Sequence, residues 1–210
     1  MNVSIENRHF LLRKLHSLFG VLPIGGFLVF HLWENSQSRF GLEHYNDKVV
    51  GWLQGLNYLL VMELLVIALP LLFHIGYGIV ILHQGRPEPR RYPFLHNQFY
   101  VLQRWSGAGI LLFLLMHVGG TRIWGIFDPA IKADLFSHMQ NLLSNPAILL
   151  VYLFGLILSV FHLCNGLWTF AIGWGLVTGK QGQRHLFIAC MALTLPLTAM
   201  GLHGIWGFVG

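Results

Sequence analysis

The sequence predicts an all-α integral membrane protein: five transmembrane helices in one bundle, the N-terminus cytoplasmic and the C-terminus outside. Three observations predict it. Of 210 residues, 55% are hydrophobic and 10% charged, against about 25% charged in a soluble domain. Five apolar runs reach the roughly 20 residues that a helix needs to cross a bilayer. Lysine and arginine gather in alternate connections, the pattern of cytoplasmic retention. Residues 1–210 are expected to form a single membrane domain with nothing left over for a soluble one.

Arg8, Arg13 and Lys14 precede the first run, 15–34. No small-residue cleavage site follows it, so it is expected to be a retained helix and not a removed signal. The remaining runs are 57–83, 105–127, 147–178 and 185–208. The fourth is long enough to tilt or to project, with Gly179 as its expected stop. Pro23, Pro70 and Pro196 fall inside runs, where neighbouring helices can satisfy the carbonyls they release. In the connection 128–145, Asp128 and Pro129 open a short helix whose Ile131, Leu135, Met139 and Leu142 recur at helical spacing. It is expected to lie flat at the interface, with His138 on its polar side.

Arg8, Arg13, Lys14, Arg86, Arg90, Arg91, Arg104, Lys180 and Arg184 fall on one side, and Arg39, Lys48, Arg122 and Lys132 on the other. Nine against four sets the predicted orientation. The net charge of +5 is therefore topological, and no nucleic-acid partner is expected. Cys164 and Cys190 belong to neither a haem-attachment nor a C-x-x-C motif.

Against this apolar background four histidines stand alone, one in each of the first four runs: His31, His74, His117 and His162. Ionisable groups inside membrane spans are rare and mark function. One such residue could simply bond a neighbouring carbonyl; four are harder to explain that way. A haem iron with two imidazole ligands needs a histidine on each of two facing helices, an arrangement suited to electron transfer. Zinc would gather its ligands around one ion, and a proton relay would mix in more acids than Glu63. Counting depth at about 1.5 Å per residue places His31 with His117 towards the outside and His74 with His162 towards the cytoplasm.

The layout resembles the five-helix, two-haem cytochrome b subunit of the succinate:quinone oxidoreductases, the succinate dehydrogenases and fumarate reductases. The resemblance covers nearly the whole chain. It rests on RKLHSLFGVLPIGGFLVFHL, on His74, on QRWSGAGILLFLLMH and on His162 after a long connection. It implies two haem b groups, a distal one on His31 and His117 and a proximal one on His74 and His162. It also implies partner flavoprotein and iron–sulfur subunits, and a quinone, commonly menaquinone, in the cytoplasmic membrane of a prokaryote. Some relatives carry an acid two positions before the fourth-helix ligand; here that position is Val160.

Haem propionates need donors or cations, and Arg13, Lys14, His16, Gln103, Arg104 and Ser106 are the candidates, with His16, Arg104 and Ser106 favoured. His16 precedes His31 by 15 residues, about 60° round the helix. A quinone site would draw on Asn35, His44, Asp47 and Glu63. Two other readings stay open: a di-haem anchor of a hydrogenase or formate dehydrogenase, and a haem-free transporter relaying protons through its histidines.

Overall fold

The computed structural model describes residues 3–85 and 94–210, with side chains from Asn7 onward. Arg86, Arg90 and Arg91, three of the cations used to orient the chain, lie outside the described residues. Among those described there is no strand, and five helices are long and apolar enough to cross a membrane: Asn7–Phe40, Leu59–Gln84, Leu95–Phe127, Pro146–Gly173 and Lys180–Val209.

These helices run past the apolar stretches read from the sequence because backbone hydrogen bonding does not stop where hydrocarbon does. The third begins at Leu95 and carries His96, Asn97 and Gln98 in its first turn. The first is two helices, Val3–Val21 and Pro23–Ser36. Pro23 has no N–H to donate, yet Leu22 N donates to Leu18 O at 2.9 Å and Gly26 N to Leu22 O at 3.0 Å. The span therefore continues through the proline with one bond missing. Pro196 sits inside the fifth helix without ending it.

The fourth helix is well capped at its start. Asn145 Oδ1 accepts from Ala147 N and Ile148 N, and Pro146 takes the first helical position. Its end differs from the sequence expectation. The helix stops at Gly173, and Gly175 follows with φ +72, the left-handed conformation that glycine adopts without a Cβ penalty. Gly179 instead precedes the fifth helix.

The fourth helix is the hub, burying Tyr152, Gly155, Leu156, Val160, Cys164, Asn165, Trp168 and Ala171. It packs against the third and fifth helices; the fifth also packs on Pro23–Ser36, and the second on Val3–Val21. The fifth helix comes very close to the first at the face where the chain ends. A Cβ on Gly204 would overlap the Asn35 backbone, and one on Gly207 would overlap Ser38 and Arg39. Ser38 Oγ uses that proximity to donate to Gly204 O at 2.7 Å.

The 128–145 connection forms two short helices, Pro129–Ala133 and Leu135–Leu143. Asp128 caps the first through Ala130 N, and Asp134 breaks the pair and caps the second through Ser137 N. Phe136, Met139 and Leu143 are buried against Tyr45, Tyr152 and Phe208. His138 Nε2 lies 2.9 Å from Gly120 O, tying this helix to a π-helical turn, Gly119–Ile123, of the third span.

Candidate functional site

Among the described residues, the second helix approaches the fourth, and Pro23–Ser36 the third, less closely than the neighbouring pairs approach each other. A pair of histidine rings reaches across each gap. The rings of His31 and His117 lie with centroids 5.8 Å apart and planes at 67°. Those of His74 and His162 are 6.2 Å apart at 86°. Neither pair is in hydrogen-bonding contact, and neither is stacked.

Three of the four rings have a hydrogen-bond partner at Nδ1, and the fourth, His31, has a carboxylate close by. His74 Nδ1 is 2.9 Å from the His16 carbonyl and so donates to it. His162 Nδ1 is 3.0 Å from Ser106 Oγ, which itself donates to Gln103 O. With its own proton committed, the Ser106 oxygen accepts from the ring. His117 Nδ1 lies 3.2 Å from the Tyr152 hydroxyl, and His31 Nδ1 lies 3.6 Å from Glu34 Oε2. For His74 and His162 the engaged Nδ1–H fixes the tautomer in which Nε2 carries a free lone pair, the usual state of a metal-bound histidine, and the Tyr152 oxygen can accept from His117 in the same way.

The donor set therefore fits haem iron. Two metal–nitrogen bonds of about 2.0 Å, plus the two ring half-widths, put imidazole centroids roughly 6 Å apart, and both pairs meet that spacing. Among the described residues no cluster of three or more His, Cys, Asp or Glu side chains could hold a bare metal ion.

His16 stacks on His74 with centroids 3.9 Å apart and planes within 5°, and its Nδ1 is buried without a partner. Arg104 lies over the Tyr100 ring at 3.6 Å and donates to Ile81 O at 3.5 Å, while its Nε is buried and unpartnered. Gly85 makes room for that guanidinium, since a Cβ there would strike it. These two unfilled donors lie beside the His74 end of the bundle and suit an anionic group. Ser106 is 2% exposed and already engaged with His162 and Gln103, so it stands behind a ring and does not face a carboxylate.

The four residues grouped as a quinone site are not gathered into one contact. Asn35 lies against His31: its Nδ2 donates to His31 O at 2.8 Å and its Oδ1 accepts from the Tyr45 hydroxyl at 3.1 Å. Glu63 pairs with Arg122 at 2.5 Å, joining π-helical turns of the second and third spans. His44 packs on Phe40, with ring centroids 5.0 Å apart. Asp47 is exposed.

Sequence reasoning missed Tyr152 and Glu34 and took Gln103 for a propionate donor; all three lie behind the histidines. Gln103 Nε2 donates to His162 O at 3.1 Å and its Oε1 accepts from Asn165, a fully buried side chain. Glu34 offered a signal: it is an acid one turn beyond a membrane histidine, and it is 9% exposed. Tyr45, in the connection that follows, shows its reach. Burial, and then the Glu34 carboxylate, push that phenol's pKa upwards.

Residues 89–200 match the family model of the succinate dehydrogenase/fumarate reductase transmembrane subunit. The chain is also 36% identical, over 97% of its own length and 98% of the relative's, to the succinate dehydrogenase cytochrome b558 subunit of Bacillus subtilis (strain 168). The chain belongs to the succinate dehydrogenase/fumarate reductase transmembrane subunits. No solved structure matches it. Membership displaces the two other readings, the hydrogenase or formate dehydrogenase anchor and the proton-relaying transporter. As a transmembrane subunit, this chain is the membrane part of an enzyme complex.

Proposed function

We propose that this transmembrane subunit anchors its complex in the cytoplasmic membrane of a prokaryote and passes electrons between an iron–sulfur subunit and a quinone of the menaquinone type. In this reading it does so through two haem b groups. The N-terminus faces the cytoplasm, and a partner flavoprotein carries the dicarboxylate chemistry. The observation that carries the reading is the two pairs of histidine rings, each pair from two different spans, with three of the four rings held at Nδ1. The relative's name, a cytochrome b558, supports haem.

The protein's own part is to hold and orient. His31 and His117 would be the axial ligands of the distal haem, and His74 and His162 those of the proximal one. Bound there, each haem supplies a one-electron carrier with both axial positions filled and no open site for oxygen. The His16 carbonyl, Ser106 and Tyr152 fix ring orientation before the group arrives. The unpartnered nitrogens of His16 and Arg104 are the proposed anchors of the proximal propionates, with Ser106 acting through His162. Asn35, His44, Asp47 and Glu63 remain the polar groups from which a quinone pocket at the distal side would be drawn.

A haem count on the purified complex tests this reading, by pyridine haemochrome and a reduced-minus-oxidised spectrum. Two low-spin b haems per chain are expected. One haem would make one histidine bridge purely structural, and none in a folded complex would sink the cytochrome reading.

A further inference from the structure

The four rings differ in the charge of what stands behind them. A backbone carbonyl holds His74, a hydroxyl holds His162 and a phenol holds His117, all of them neutral. His31 alone, among the described residues, has a carboxylate there: Glu34 Oε2, 3.6 Å from Nδ1. The two residues share one helix at a spacing of three, so the contact is built into Pro23–Ser36. The Glu34 side chain is 12% exposed, and little water screens it.

The remaining neighbours leave that contact open. Asn35 Nδ2 lies 3.3 Å from both ring nitrogens of His31. Equal distances put the amide over the face of the ring and not along either lone pair. Its better bond is to the His31 carbonyl at 2.8 Å, and Tyr45 donates to Asn35 and not to Glu34. The Nδ1 edge of His31 is thus left to the acid.

We propose that Glu34 sets the redox potential at the His31–His117 site. It acts through His31 as a positioning residue. A carboxylate set close behind the Nδ1–H of a ligating imidazole makes that ligand more basic. A more basic ligand, with a negative charge close behind it, favours the oxidised iron. The haem held by His31 and His117 is therefore harder to reduce than it would be with a neutral acceptor in that place. The His74–His162 site has only neutral acceptors and lacks this device.

The proposal rests on the di-haem reading, and one experiment separates the two. The wild-type and Glu34→Gln complexes are titrated by spectroelectrochemistry, with haem content measured first. Fewer than two haems in the wild type would defeat the underlying reading. Given two, E34Q is expected to raise one midpoint so that the reduced-to-oxidised ratio grows about tenfold at fixed ambient potential, 59 mV for one electron. The other midpoint stays where it was. Two haems with both midpoints unmoved would overturn the proposal. Should E34Q lose a haem, Glu34→Asp, which keeps the charge, is expected to retain both haems with wild-type midpoints. Loss in that variant too would make Glu34 purely structural and overturn the proposal.

Discussion

Ser106 shows how one hydroxyl acquires a role from its surroundings. It donates to Gln103 O and so has only acceptor capacity left for His162. Replacing it by alanine strands a buried ring N–H, a loss worth about 1–3 kcal/mol. Ser106→Ala is expected to lower the unfolding temperature of the complex and to move the midpoint of one haem only. Unchanged thermal and redox titrations would deny the contact. His74→Leu is expected to leave one haem of two, counted by pyridine haemochrome. At this scale the sequence was partly legible. The four histidines stood out because ionisable residues are sparse in their runs, and depth counting put His31 beside His117 and His74 beside His162. Ser106, Tyr152 and Glu34 could not be assigned that way. Their contacts depend on how each helix is rotated about its axis, which hydropathy does not encode.

Helix ends and close approaches are the lesson of the elements. The fifth helix meets the first through Gly204 and Gly207, where a Cβ would overlap the backbone of Asn35–Arg39. Gly204→Leu is expected to force these helices apart at a cost of about 1–3 kcal/mol, measured as a drop in thermal stability. Asp134 holds the Leu135–Leu143 helix by its cap. Bonds from Ser137, first its backbone N–H, and then from Asn46 hold its pKa below the ordinary 3.8. A depressed acid contributes stability above the unfolded-state value and loses it as pH falls through the folded one. Asp134→Asn is thus expected to lower the melting temperature at pH 7, and the gap to wild type should close as pH drops below 3.8. A gap that does not change with pH would contradict the cap. Asp128 and Pro129 announced the first short helix, but the break at Asp134 was silent in the apolar spacing. So was the end of the fourth helix: the expected span ran on to 178, and the chain stops at Gly173 because Gly175 turns left-handed.

Across the whole molecule, five apolar runs and sparse charge were enough to predict a helical membrane bundle, since few other folds satisfy a backbone in hydrocarbon. The packing order was not legible, because lipid-facing and helix-facing residues are equally apolar; nothing in the runs marked the fourth helix as the hub. The two histidine bridges divide the membrane's thickness between them. If the bridges carry electrons as proposed, that charge would move against or with the membrane potential, at about 2.3 kcal/mol per charge per 100 mV. Val160, 1% exposed, offers no acid beside His162 to carry a compensating proton. Turnover with quinone in sealed vesicles is therefore expected to change when an uncoupler collapses the potential. A rate indifferent to the uncoupler would mean that charge movement is compensated elsewhere.

The interleaving of the two bridges, first span to third and second to fourth, also orders the life of the chain before it is ever complete. Neither bridge can close within the first two spans. The ribosome finishes one when it reaches His117 and the other only 45 residues later, at His162. At ~5–20 residues per second, that interval is roughly 2–9 s. A nascent chain thus exposes a finished pair while its second pair is still half made, and the fifth span, which carries neither ligand, arrives after both.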